Sequence, residues 1–140
     1  MTNGWPGSKL LRVEGIGEEY AQKLSDAGVK TTNALLKQGA TPKGRQEIAE
    51  NSGISETLIL VWVNHVDLFR IKGVFEEYAD LLEEAGVDTV MELAQRNPEN
   101  LYKKLVEVNE QKKLVRQLPG KSQVENWVAQ AKQLDRAVFY

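Results

Sequence analysis

The segment VEGIGEEYAQKLSDAGVKT, residues 13–31, returns at residues 71–89 as IKGVFEEYADLLEEAGVDT. Ten positions are shared: Gly15/Gly73, Glu18/Glu76, Glu19/Glu77, Tyr20/Tyr78, Ala21/Ala79, Leu24/Leu82, Ala27/Ala85, Gly28/Gly86, Val29/Val87 and Thr31/Thr89. A chain that repeats itself at this length is expected to build one local arrangement twice. A second echo pairs Trp62 in LVWVNHVDLFR with Trp127 in VENWVAQAKQLDR. The tryptophans are 65 residues apart where the first segments are 58 apart, so the second copy carries extra residues, around NEQKKLVRQLPGK.

The spacing of apolar residues inside each copy is helical. Tyr20, Ala21 and Leu24 fall on one face, as do Tyr78, Leu81, Leu82 and Ala85. Gly28 and Gly86 follow as helix stops, because glycine takes the left-handed conformation without steric cost. Thr41-Pro42 and Asn97-Pro98 read as an N-cap followed by proline at the first helical position. Thr89 with Glu92, and Ser122 with Glu125, have the spacing of capping boxes. Val124, Trp127, Val128, Ala131 and Leu134 form an amphipathic stripe. No segment alternates with period two, so the chain is expected to be all-α, with eight to ten short helices.

The segment 55–70 differs. Leu58, Ile59, Val61, Trp62, Val63, Val66, Leu68 and Phe69 leave little polar face, and a helix apolar all round is buried. Its position between the copies predicts that it joins them in one shared core. The expected organisation is an N-terminal tail at 1–9, a first helical repeat at 10–70, a second at 71–136 with its insert near 109–121, and a C-terminal tail at 137–140.

LRVEGIGEEYAQKLSDAG resembles the helix-hairpin-helix motif, in which glycine, an apolar residue and a second glycine precede a helix with alanine and leucine on its inner face. LFRIKGVFEEYADLLEEAG is similar but has Phe75 in place of the second glycine. From about Leu10 to Leu134 the chain resembles an uncharacterised bacterial family of tandem helix-hairpin-helix proteins, described only as a domain of unknown function. The resemblance implies a fold and brings no activity with it. In helix-hairpin-helix proteins that bind DNA, the hairpin glycines let backbone N–H groups approach a phosphate beside a helix N-terminus. The matching positions are Gly15, Ile16 and Gly17 in the first copy, and Gly73 and Val74 in the second; Phe75, which departs from the motif, is a candidate contact beside them.

Two features oppose a phosphate there. Glu18, Glu19, Glu76 and Glu77 follow the hairpins; they complement the helix dipole, yet repel a phosphate. At about 4 Å that repulsion is about 1 kcal/mol in water and about 4 kcal/mol at an intermediate dielectric. A hydrogen bond to a charged partner nets about 1.5–3 kcal/mol, so the glutamates offset the hairpin's gain. Phe75 also brings bulk to the point of closest approach, where glycine alone takes a positive φ freely. That leaves Phe75 as a core filler or as an exposed aromatic for a partner, with the surface turn favouring the partner.

Charge is segregated although the net is only −2. Residues 71–100 carry an excess of acids, and 101–122 hold Lys103, Lys104, Lys112, Lys113, Arg116 and Lys121. The basic residues form a patch for nucleic acid or an acidic partner, a solvated loop facing the acidic stretch, or one half of a head-to-tail contact between copies. GATPKGRQE lacks the Lys-Ser/Thr of a phosphate loop and no strand precedes it; Lys43 and Arg45 at a helix start retain an anion as an alternative. The tail residues Val138, Phe139 and Tyr140 either fold back onto the core or dock on another molecule.

Nothing points to catalysis. There is no cysteine, His65 is the sole histidine and falls on the apolar helix, and the serines have no histidine partner by motif. No cofactor, metal site or small-molecule substrate is expected. MTNGWPGSKLL lacks the apolar centre of a signal peptide, and no run approaches the roughly 18 apolar residues of a membrane span, so a cytoplasmic protein without a membrane partner is expected. The sequence ranks a non-enzymatic scaffold that binds protein or self-associates first. Sequence-independent binding of double-stranded DNA, through Gly15–Gly17 and the basic 103–121 segment, comes second.

Overall fold

A computed structural model describes residues 8–140, so most of the N-terminal tail at 1–9 lies outside the described residues. All regular structure in that range is helical. A 3-10 turn at Ser8–Arg12 leads to α1 (Glu18–Asp26), α2 (Thr32–Gln38), α3 (Pro42–Ser52) and α4 (Glu56–Leu68). These are followed by α5 (Glu76–Glu84), α6 (Val90–Ala94), α7 (Pro98–Lys112) and α8 (Lys121–Ala131). None is long and apolar enough to cross a membrane.

Side-chain caps start most of these helices. The Thr31 hydroxyl accepts the Ala34 N–H at 3.0 Å, Thr41 that of Gly44 at 3.1 Å and Thr89 that of Glu92 at 3.3 Å. Asn97 Oδ1 accepts the Asn100 N–H at 3.1 Å. Pro42 and Pro98 occupy first-turn positions where no N–H is needed. The expected box at Ser122 and Glu125 is corrected: α8 begins at Lys121, and Ser122 is already inside its first turn. Gly120 is the N-cap, extended at φ −70° and ψ 158°, and Gln123 Oε1 reaches back to its N–H at 3.3 Å.

Both α1 and α5 end in a Schellman motif. Gly28 (φ +91°) donates to Ser25 O and Val29 to Leu24 O; Gly86 (φ +93°) donates to Glu83 O and Val87 to Leu82 O. Val29, Leu24, Val87 and Leu82 are fully buried, so each stop also contributes to a core.

The chain divides into two compact units. One contains the described residues up to Asp67 together with Ala137–Tyr140, and the other spans Leu68–Arg136. Leu10, Val13, Leu24, Leu35, Ile59 and Trp62 are buried in the first. Ile71, Leu82, Leu93, Leu105, Trp127 and Val128 belong to the continuous apolar cluster of the second. Along α4 every residue from Trp62 to Leu68 is buried, the polar Asn64, His65 and Asp67 included, while Leu58, Val61 and, just past the helix, Phe69 are partly exposed. His65 lies within that run.

Candidate functional site

The two hairpins have matching backbone geometry. Val13 donates to Leu10 O and Ile16 to Val13 O; Ile71 donates to Leu68 O and Val74 to Ile71 O. Ile16 and Val74 are buried and their N–H groups are already bonded within the hairpins, so both residues serve as anchors. Gly15 has φ +90° and Gly73 φ +97°. A β-carbon on Gly15 would stand 3.3 Å from Trp62 Nε1, and one on Gly73 3.1 Å from Trp127 Nε1. The same indoles hold Tyr20 and Tyr78 in tilted aromatic pairs, with ring centroids 5.1 and 5.3 Å apart. Glycine, tryptophan and tyrosine thus form one packed stack in each unit. The sequence contains all three pairs of residues, but it does not reveal that they touch.

The second hairpin position behaves differently from the sequence-based expectation. Gly17 is extended (φ −90°, ψ −174°), and Phe75 takes nearly the same conformation (φ −112°, ψ −170°). Neither position requires a positive φ, so a bulky residue there is unstrained. A β-carbon on Gly17 would meet nothing within 4 Å, and Phe75 is 60% exposed. Gly17 and Phe75 are the N-caps of α1 and α5, and neither offers a side-chain cap. Glu18, Glu19, Glu76 and Glu77 occupy the first turns and are all exposed.

Of the six basic candidates, Lys103, Lys104 and Lys112 lie on α7, Lys113 ends it, Arg116 lies in the following loop and Lys121 begins α8. Lys112 pairs with Glu84, while Lys103 and Lys121 each approach Glu99 at 3.9 Å. Part of the basic segment is therefore neutralised by the acidic one, through exposed pairs each worth about 0–1 kcal/mol. The insert is clamped at Asn109, whose Nδ2 donates to Val115 O at 3.2 Å and whose Oδ1 accepts the Val115 N–H at 3.0 Å. The Tyr78 hydroxyl donates to Gln117 O at 3.0 Å. These bonds bring Arg116 and Gln117 to the second hairpin. There they line a 340 Å³ concavity with Phe75, Glu76, Glu77 and Tyr78.

The C-terminal tail folds back. Val138 is only 2% exposed, which removes it from the candidate contacts; Phe139 (46%) and Tyr140 (65%) stay exposed. The Phe139 N–H donates to Ala40 O at 2.7 Å, and the Tyr140 hydroxyl to Asn64 Oδ1 at 3.2 Å. Arg45 closes the arrangement, with Nη1 donating to Gly39 O and Nη2 to Phe139 O, both at 2.8 Å. Burial pushes this guanidinium below its usual pKa, against the opposing influence of Tyr140 and Glu56. Arg45 is thus committed to two carbonyls, and the alternative of an anion there loses these two donors. Gly44 serves packing: a β-carbon there would stand 1.9 Å from Gln38 O. Beside the tail, Asn33, Ala34, Leu36, Lys37, Ala40 and Ala137 line a second concavity, of 420 Å³. No sequence pattern marks it, because its walls come from α2, the turn after it and the returning tail.

A model of the family described as domain of unknown function (DUF4332) matches residues 14–134. No curated protein and no solved structure matches the chain.

Proposed function

The chain belongs to the DUF4332 family, and from the geometry of its second hairpin we propose a non-enzymatic interaction module, built on two helix-hairpin-helix elements, that binds protein or associates with itself. Phe75 carries this reading. It is 60% exposed at a position where Gly17 serves the first hairpin with the same backbone conformation. The hairpin backbone forms at Gly17 without a side chain, so the ring is not required to shape the turn and most of it is left to solvent. An aromatic side chain buries about 150–250 Å² at a contact, and such residues anchor interfaces. The test compares the wild-type chain with Phe75→Gly, in self-association and in capture from a lysate of the organism that makes it. Loss of an association in the variant supports the reading. A wild-type chain with no Phe75-dependent association of either kind sinks it.

A second reading rests on Gly17, where the backbone is open and α1 has no side-chain cap. Those features suit sequence-independent contact with a DNA phosphate, against the repulsion of Glu18 and Glu19. This reading expects duplex binding that falls by about 0.9 log units per phosphate contact for each tenfold rise in salt. Gly17→Glu is expected to abolish it. Equal affinity in that variant excludes the hairpin as the contact.

A further inference from the structure

We propose that Phe75 of one molecule seats in the Lys37-lined concavity of a second copy, giving head-to-tail assembly. The inference rests on the interaction reading above and names the partner. Among the described residues only Phe75, Phe139 and Tyr140 are large apolar side chains left exposed. Phe75 is an exposed ring on the second hairpin, flanked by two exposed carboxylates, Glu76 and Glu77. The surface that complements it is the 420 Å³ concavity on the first unit, with Ala34, Leu36, Ala40 and Ala137 as apolar walls and Lys37 as its sole charge. That volume falls within the range of about 300–1,000 Å³ that receives small organic groups.

Charge complements shape. Among the described residues, Lys37, Glu76 and Glu77 take part in no ion pair. The Phe75 side stays net negative even with Arg116 counted, so Lys37 of the second copy gains a carboxylate on docking. Phe139 lies close by along the chain. Its N–H is bonded to Ala40 O, which ties the exposed residue next to a wall of the concavity in the chain's own fold.

The two surfaces differ, so the contact is heterologous, and each open assembly retains one free ring and one free concavity. A contact built on one ring and one charge cluster is smaller than the roughly 800 Å² per partner of a standard interface. Assembly is therefore weak, concentration-dependent and salt-sensitive.

Sedimentation of the full chain up to millimolar concentration tests this. The wild-type mass average is expected to rise with concentration, while Phe75→Gly and Lys37→Glu each stay monomeric. The two variants are then mixed. Phe75→Gly keeps the concavity and Lys37→Glu keeps the ring, so the mixture is expected to form a one-to-one dimer and stop there. Circular dichroism confirms that both variants are folded. A strictly monomeric wild type, an unaffected Lys37→Glu variant or a mixture that stays monomeric overturns the proposal. A monomeric wild type that still captures another protein through Phe75 overturns the second copy as partner and leaves the interaction reading standing. If Phe75-dependent capture is also absent, both fall.

Discussion

Gly73 lies against the indole nitrogen of Trp127 so closely that a β-carbon would stand 3.1 Å from it, with the backbone at φ +97°. Gly15 repeats this against Trp62 at 3.3 Å. Both constraints act on an added methyl group. Gly15→Ala and Gly73→Ala are each expected to cost at least about 1–2 kcal/mol from the left-handed backbone alone. Gly17→Ala, with open space and an extended backbone, is expected to stay within about 0.5 kcal/mol of wild type. Urea unfolding separates the cases; equal losses at Gly15 and Gly17 would refute the geometric distinction.

Arg45 joins the turn after α2 to the returning tail through Gly39 O and Phe139 O. Arg45→Ala removes a buried charged donor and leaves carbonyls unpaired, at an expected cost of about 2–4 kcal/mol. Deleting residues 137–140 removes one of the same bonds and the buried Val138. The two changes together are therefore expected to cost less than their sum. Strict additivity in a thermal or urea double-mutant cycle would mean that Arg45 does not act through the tail.

Asn109 holds the Val115 backbone by both N–H and carbonyl. Asn109→Ala is expected to cost about 1–3 kcal/mol. It is also expected to speed amide exchange at Val115, with α8 protected as before. Unchanged exchange in the loop would show that Tyr78 and Gln117 suffice to hold it.

The start of α8 gives a sharper test of capping. Asn97→Ala is expected to cost about 1 kcal/mol as the loss of an N-cap. Ser122→Ala is expected to fall within about 0.5 kcal/mol of wild type, because Ser122 lies inside the helix. A full capping loss at Ser122 would move the helix start.

What the sequence reveals follows from the range of the forces involved. Helix starts at Thr41, Thr89 and Asn97, and stops at Gly28 and Gly86, depend on residues within four positions, and pattern alone locates them. The buried run of α4 is legible in part: Trp62, Val63, Val66 and Leu68 mark it, whereas Asn64, His65 and Asp67 are buried without an apolar signal. Ser122 misleads because the helix takes Gly120 as its N-cap and starts two residues earlier than the serine pattern implies. The role of Phe75 is half visible: its departure from glycine is plain, but the absence of strain requires the backbone angles. Arg45 and the Lys37 concavity are invisible, since both depend on residues 137–140 returning to α2 and α3 across most of the chain.

That return has a consequence for how the molecule is made. The unit that begins near the N-terminus is completed only by residues translated after the whole of Leu68–Arg136. During synthesis the later unit has its full sequence in hand before the earlier one does. Until Val138 and the carbonyl of Phe139 emerge, Arg45 waits with one of its two acceptors missing, so the half begun first is the half finished last.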